Sequence, residues 1–263
     1  LGLQGWDASY EFQSQAGHRT MNERAGWLPW GVWEADVPAQ IGQFPALARM
    51  IYRGDVLESE PISVRRVSLE DLPAGKFSFS DKVVQHGDVK SFAGTVPPEA
   101  LAAGRVVVQF TDKPEASTFP DMAAYRRGAT IVSATRQLAW DTAGRGFFLV
   151  NTPGTKGVVG FAESHRVSLE KVAIEMNCPY ASIFLTALER KATLADCDAA
   201  LVTAVARNAN TGRKYFARDS RLLENGLPPL LVEPVRAAIE IANRSIKAVN
   251  ILDHDGRRTG KTL

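Results

Sequence analysis

Three tryptophans, Trp27, Trp30 and Trp33, stand three residues apart in the run WLPWGVWE. An indole offers a broad apolar face and a single N–H donor, which suits a pyranose ring whose C–H faces are apolar and whose hydroxyls reach outward. Such a platform competes with the commoner role of tryptophan, which is packing. Upstream, DASYEFQ alternates in the manner of a strand, so Asp7, Ser9, Glu11 and Gln13 share one face and Ala8, Tyr10 and Phe12 the other. Glu11, Glu23, Glu34 and Asp36 are the acids near the end of this strand and in the loop after it. Cleavage of a glycosidic bond takes two carboxyl groups held about 5–5.5 Å apart for retention or about 6.5–9.5 Å for inversion. A local pair such as Glu11 with Glu34 competes with ordinary solvated loop charge. No catalytic pair is assigned.

The remaining chemical signals favour structure. His18, His86, His165 and His254 lack any paired ligand spacing, and NTPGTKG lacks the spacing of a phosphate loop. Trp6 and Asp7 suit packing and a turn or cap, Asn210-Thr211-Gly212 suits a turn, and Trp140 suits a strand core ahead of the turn at Asp141. Cys178 and Cys197, nineteen residues apart, allow a disulfide, although two separate buried thiols are the simpler expectation. Asn243-Arg244-Ser245 is an N-x-S sequence, meaningful only in a glycosylating host.

Two kinds of element must position these residues. In PAQIGQFPALARMIYRGD, Ile41, Phe44, Ala48 and Ile51 recur at helical spacing, with Arg49 and Arg53 nearer the other face. Pro38 suits the helix start and Gly54 its stop, while Pro45 either sits in the first turns or divides the helix in two. After residue 60 helical periodicity gives way to short runs rich in Val, Ile and Phe, among them RVVVQF, GFFLVNTP, SLEKVAIEM, SIFLTALE and ALVTAVARN. Gly, Pro, Asn and Asp separate them, the punctuation of antiparallel strands. LDHDGRRTGKTL has the form of a hairpin with Asp255-Gly256 at its turn, and DMAAYRR that of a single helical turn in the irregular stretch 112–128.

Composition narrows the function classes. With 45% hydrophobic residues among 263, the chain can build a substantial core. The 31 basic and 29 acidic residues, net +2, are dispersed, so no basic stripe points to nucleic acid or an anionic membrane. No apolar run reaches the roughly 18–20 residues of a membrane helix.

GWDASYEF, VPAQIGQFPALARMIYRGDV, ATRQLAWDTAGRGFFLVNTPGTKGVVGFA, and RNANTG with PPLLVEPVRAAIEI occur in an order that resembles the C-terminal part of large bacterial glycoside hydrolases of the β-galactosidase and agarase-like kind. The resemblance implies a β-sandwich-like antiparallel domain over residues 59–263, preceded over residues 1–58 by the final strand and helix of a (β/α)8 barrel. The fold class expected is therefore mainly β. Reacting groups of such barrels stand at the C-terminal ends of several strands. The resemblance thus implies that the catalytic carboxylates lie upstream of Leu1, and that Glu11, Gln13, Trp27, Trp30 and Trp33 contribute carbohydrate contacts at the cleft end. It implies no cofactor or metal and a carbohydrate substrate reached through the parent enzyme; if that parent is secreted or periplasmic, its signal lies upstream. The alternative is that the β-domain is an independent carbohydrate-binding or interaction module, which exposed aromatic residues on one sandwich face would support.

Overall fold

The computed structural model describes residues 1–10, 37–77, 81–86, 89–215, 222–224, 226–242 and 245–263. In chain order the strands are β1 (Pro61–Ser68), β2 (Asp81–His86), β3 (Val89–Gly94), β4 (Arg105–Thr111), β5 (Arg126–Arg127), β6 (Thr130–Val132) and β7 (Leu138–Asp141). They continue as β8 (Phe147–Asn151), β9 (Thr155–Gly160), β10 (Arg166–Leu169), β11 (Val172–Met176), β12 (Ala181–Ala187) and β13 (Ala200–Val205). The last are β14 (Asn208–Thr211), β15 (Lys214–Tyr215), β16 (Leu222–Glu224), β17 (Leu227–Val232), β18 (Ala237–Ile241), β19 (Asn250–Leu252) and β20 (Arg258–Thr262).

Seven strands form one antiparallel sheet in the order β13-β12-β9-β8-β7-β6-β5, and β10-β11-β18 form a second. Val158, Ile183 and Leu185 of the large sheet meet Val167, Leu169, Val172, Ile174 and Met176 of the small one, and these side chains make the main core. The arrangement is sandwich-like, as the alternating patterns required: β10 and β11 bury every second residue. Strand β12 differs, because all seven of its residues are buried. Ile183 and Leu185 face the small sheet, while Ser182, Phe184 and Thr186 face an outer layer built by the N-terminal region. Each large apolar side chain so buried contributes about 1.5–3 kcal/mol.

Cys178 and Cys197 are both buried in the main core and are not bonded to each other. The hairpin expected at the end of the chain is β19–β20, with Gly256 at φ +77° and Asp253 Oδ1 accepting from the amides of Asp255 and Arg257. The turn at DMAAYRR is a 3-10 helix, Met122–Tyr125, capped by the Asp121 carboxylate.

Two expectations change, and the alternative left open at Pro45 is decided. The pair β1–β4 is parallel, since residues 69–104 make the long crossover that a parallel pair requires, ending in the short helix Ala100–Ala103. Among Asp7–Tyr10 no strand forms; all four residues are exposed, and the ordered N-terminus is instead the 3-10 turn Gly2–Gln4. The helix is divided, into Pro38–Ile41 and Phe44–Arg53, with Pro45 in the first turn of the second piece. Gly54, at φ +67°, ends it.

The division also shifts which face packs. Ala46, Leu47 and Met50 lie on Val150, Phe184, Leu138 and Val159 of the large sheet, whereas Ile41, Phe44 and Ile51 stay 40–56% exposed. Read as one continuous helix, the apolar stripe falls on the wrong side. Because the helix restarts at Phe44, its small residue Ala46 sets the line of approach, and Arg49 and Arg53 reach the loop that follows β12.

Candidate functional site

The substrate contacts expected from sequence, Glu11, Gln13, Trp27, Trp30 and Trp33, lie outside the described residues, as do Glu23, Glu34 and Asp36. What the structure does place is the junction where the helix Phe44–Arg53 and the N-terminal turn cover the outer face of the large sheet. It has a buried polar lock at one end and an aromatic cavity at the other.

The lock begins where Gly54 turns the chain. Arg53 Nε approaches both carboxylate oxygens of Asp55, at 3.2 and 3.1 Å, and the two side chains are 4% and 7% exposed. Arg53 also donates to the carbonyls of Glu189 and Ala192, the latter at 2.5 Å. Asp55 Oδ2 accepts from Thr155 Oγ1 of β9 at 2.7 Å, and Gln137 Nε2 donates to the Asp55 carbonyl at 3.0 Å. Thr155 Oγ1 in turn lies 3.3 Å from Thr186 Oγ1 on β12. Burying two charges is tolerable only when their remaining donors and acceptors are met, and here both ends are. Ser182 adds a second tie, donating to Gln43 Oε1 at 2.9 Å.

At the other end of the same face, Trp140 on β7 and Phe148 on β8 are register partners and stack at 5.2 Å with 14° between the rings. They line a cavity of about 160 Å³ whose other walls include Leu3, Gln4, Leu101 and Leu138. Gln4 is buried and fully engaged. Its amide donates to the carbonyls of Leu101 and Gly104, and its oxygen accepts from the Val106 amide. Phe148 is about half exposed, and the indole N–H of Trp140 meets no acceptor among the described residues. Trp140 therefore departs from the core role read from sequence: it is half-buried at the wall of an open cavity. Nearby, Phe161 and Tyr180 meet at 5.0 Å, and the Arg145 guanidinium lies 3.7 Å above the Phe161 ring. The Phe161 amide donates to the Gly146 carbonyl, two residues before Phe148.

Little in the amino-acid order marks these groups. Arg53-Gly54-Asp55 read only as a helix stop, because the partners of Asp55 lie 82 and 100 residues away. A strand tryptophan followed by a turn gives no sign of whether its neighbouring face is covered.

Comparison with protein-family models, curated proteins and solved structures finds no match for this chain.

Proposed function

We propose that the chain is the C-terminal part of a glycoside hydrolase acting on β-linked galactosides or related polysaccharides, in which the β-domain holds the closing helix of a (β/α)8 barrel and the catalytic carboxylates lie upstream. The reading rests on the sequence resemblance, and one observation supports it most directly. The helix Phe44–Arg53 is apolar on two sides. One side is sealed on the sandwich by Ala46, Leu47 and Met50, while Phe44, Ile51 and Tyr52 remain 40–68% exposed. A surface helix carries one apolar stripe; a helix with two belongs between two bodies. Such a helix suits the last helix of a barrel standing on a buttressing domain. The coding sequence upstream of Leu1 tests the proposal: it should encode seven further strand–helix units and two acidic residues at strand C-terminal ends. A reading frame that starts at the Leu1 codon would sink it.

The second reading, a carbohydrate-binding module, is favoured by the Trp140–Phe148 stack, whose indole N–H meets no acceptor among the described residues. Affinity electrophoresis of the whole chain in agarose and in galactan separates the two. Retardation that disappears in Trp140→Ala supports binding by the module, and unretarded migration in both gels leaves the buttressing role.

A further inference from the structure

Strand β9 carries a lysine where the core has no obvious use for one. The Lys156 side chain is only 4% exposed, and its residues in register across β8 and β12 are Asn151 and Leu185. Its ammonium donates to Asn151 Oδ1 and, at 2.8 Å, to Glu170 Oε2. An ammonium has three donors, and the third meets no acceptor among the described residues. The partner is unusual as well. Glu170 lies in the two-residue turn joining β10 to β11, two-thirds exposed, with φ +56°, a backbone conformation that residues with a Cβ adopt at a cost.

Beside this pair is a cavity of about 200 Å³. Lys156, Glu170 and Lys171 form its polar side, and Val172, Leu194 and Ile241 its apolar side. The apolar wall is firmly held: the Leu194 amide donates to Pro153 at 2.8 Å, Thr193 is bonded through its amide and hydroxyl to Asp196, and Ala242 donates to the Lys171 carbonyl at 2.7 Å. The cavity is smaller than the roughly 300–1,000 Å³ of pockets for drug-sized ligands, so it has room for one small molecule.

A whole ion pair can often be replaced by apolar side chains of similar volume with little loss of stability, so stability alone gives no reason for a buried ammonium here. Its place at the wall of a cavity, opposite an acid on a strained turn, suits an anion. We propose that this cavity binds a small carboxylate with a compact, C–H-rich body: the carboxylate takes the free donor of Lys156, Lys171 adds positive charge, and Val172, Leu194 and Ile241 receive the body. Glu170 is the exchangeable acid that occupies Lys156 when the ligand is absent. A sugar acid and a short branched-chain acid share this chemistry. The proposal stands independently of the enzyme class proposed above.

An amide-detected NMR titration of the whole chain with galacturonate, isobutyrate and galactose tests it. At least one acid should give saturable shifts at Lys156, Val172, Leu194 and Ile241, at concentrations at least tenfold below any effect of galactose; which acid does so identifies the source. Glu170→Gln removes the competing charge and should tighten acid binding several-fold, the opposite of what loss of a merely structural ion pair would do. Lys156→Met should abolish binding. No site-localised shifts with either acid, equal response to galactose, binding that survives in Lys156→Met, or unchanged or weaker binding in Glu170→Gln would each overturn the proposal. If Lys156→Met does not fold, the Glu170→Gln titration decides alone.

Discussion

At the scale of single residues, the most consequential pair is Arg53 with Asp55, because both are buried and each completes the other's hydrogen bonding. Removing one member of a buried pair leaves an uncompensated charge, at about 3–5 kcal/mol. Asp55→Ala should therefore lower the unfolding free energy by about that amount in urea titrations. The double variant Arg53→Met/Asp55→Leu should lose clearly less than the two single changes added together. Additive losses would show that the two side chains do not act as a unit. Glycine supplies a second case. Gly157 on β9 faces Phe184, and a Cβ there would lie 2.4 Å from the ring. Gly157→Ala should cost about 1–3 kcal/mol through overpacking, read as a lower midpoint at unchanged slope.

At the scale of elements, β12 is the strand on which both layers depend. Ile183→Ala should cost about 2–5 kcal/mol, whereas Val202→Ala on the half-exposed edge strand β13 should change stability by less than about 1 kcal/mol. Equal losses would contradict the assignment of β12 as the shared central strand. The small sheet has its own electrostatic tie. Arg166 on β10 makes two hydrogen bonds to Glu240 on β18, at 2.8 and 2.6 Å. That hydrogen bonding, with the attraction of the guanidinium, holds the Glu240 carboxyl below its ordinary value near 4.5. A carboxyl lowered in the folded state stabilises it above the unfolded-state value, and that contribution is lost as pH falls through the folded-state value. Wild type should thus lose slightly more stability than Glu240→Gln on acidification below about pH 4.5, with the difference shrinking in high salt because the pair is exposed. Parallel acid profiles would remove this tie from the account.

At the scale of the whole molecule, the described residues of the N-terminal region join the sandwich through side chains rather than a shared sheet. The helix Phe44–Arg53 should accordingly show hydrogen-exchange protection that depends on the lock. Arg53→Met is expected to deprotect residues 44–53 while leaving β9 and β12 protected. Loss of protection in both would make helix and sandwich one cooperative unit instead.

Much of this was legible in the amino-acid order. Period-two alternation in VAIEM marks a strand with one buried face, Asp255-Gly256 marks a turn, and Gly54 marks a helix end, because each depends on backbone sterics and burial within a few residues. The face on which the helix packs, the parallel pairing of β1 with β4, the lock around Asp55 and the cavity at Lys156 were decided only by tertiary contact. Each joins groups far apart in the chain, and local periodicity carries no information about which distant surface an apolar stripe or a buried charge will meet. Pro45 illustrates the boundary: its inability to continue a helix is a property of the residue, but only docking on Phe184 and Val150 determined that Ala46, rather than Ala48, would face the sheet.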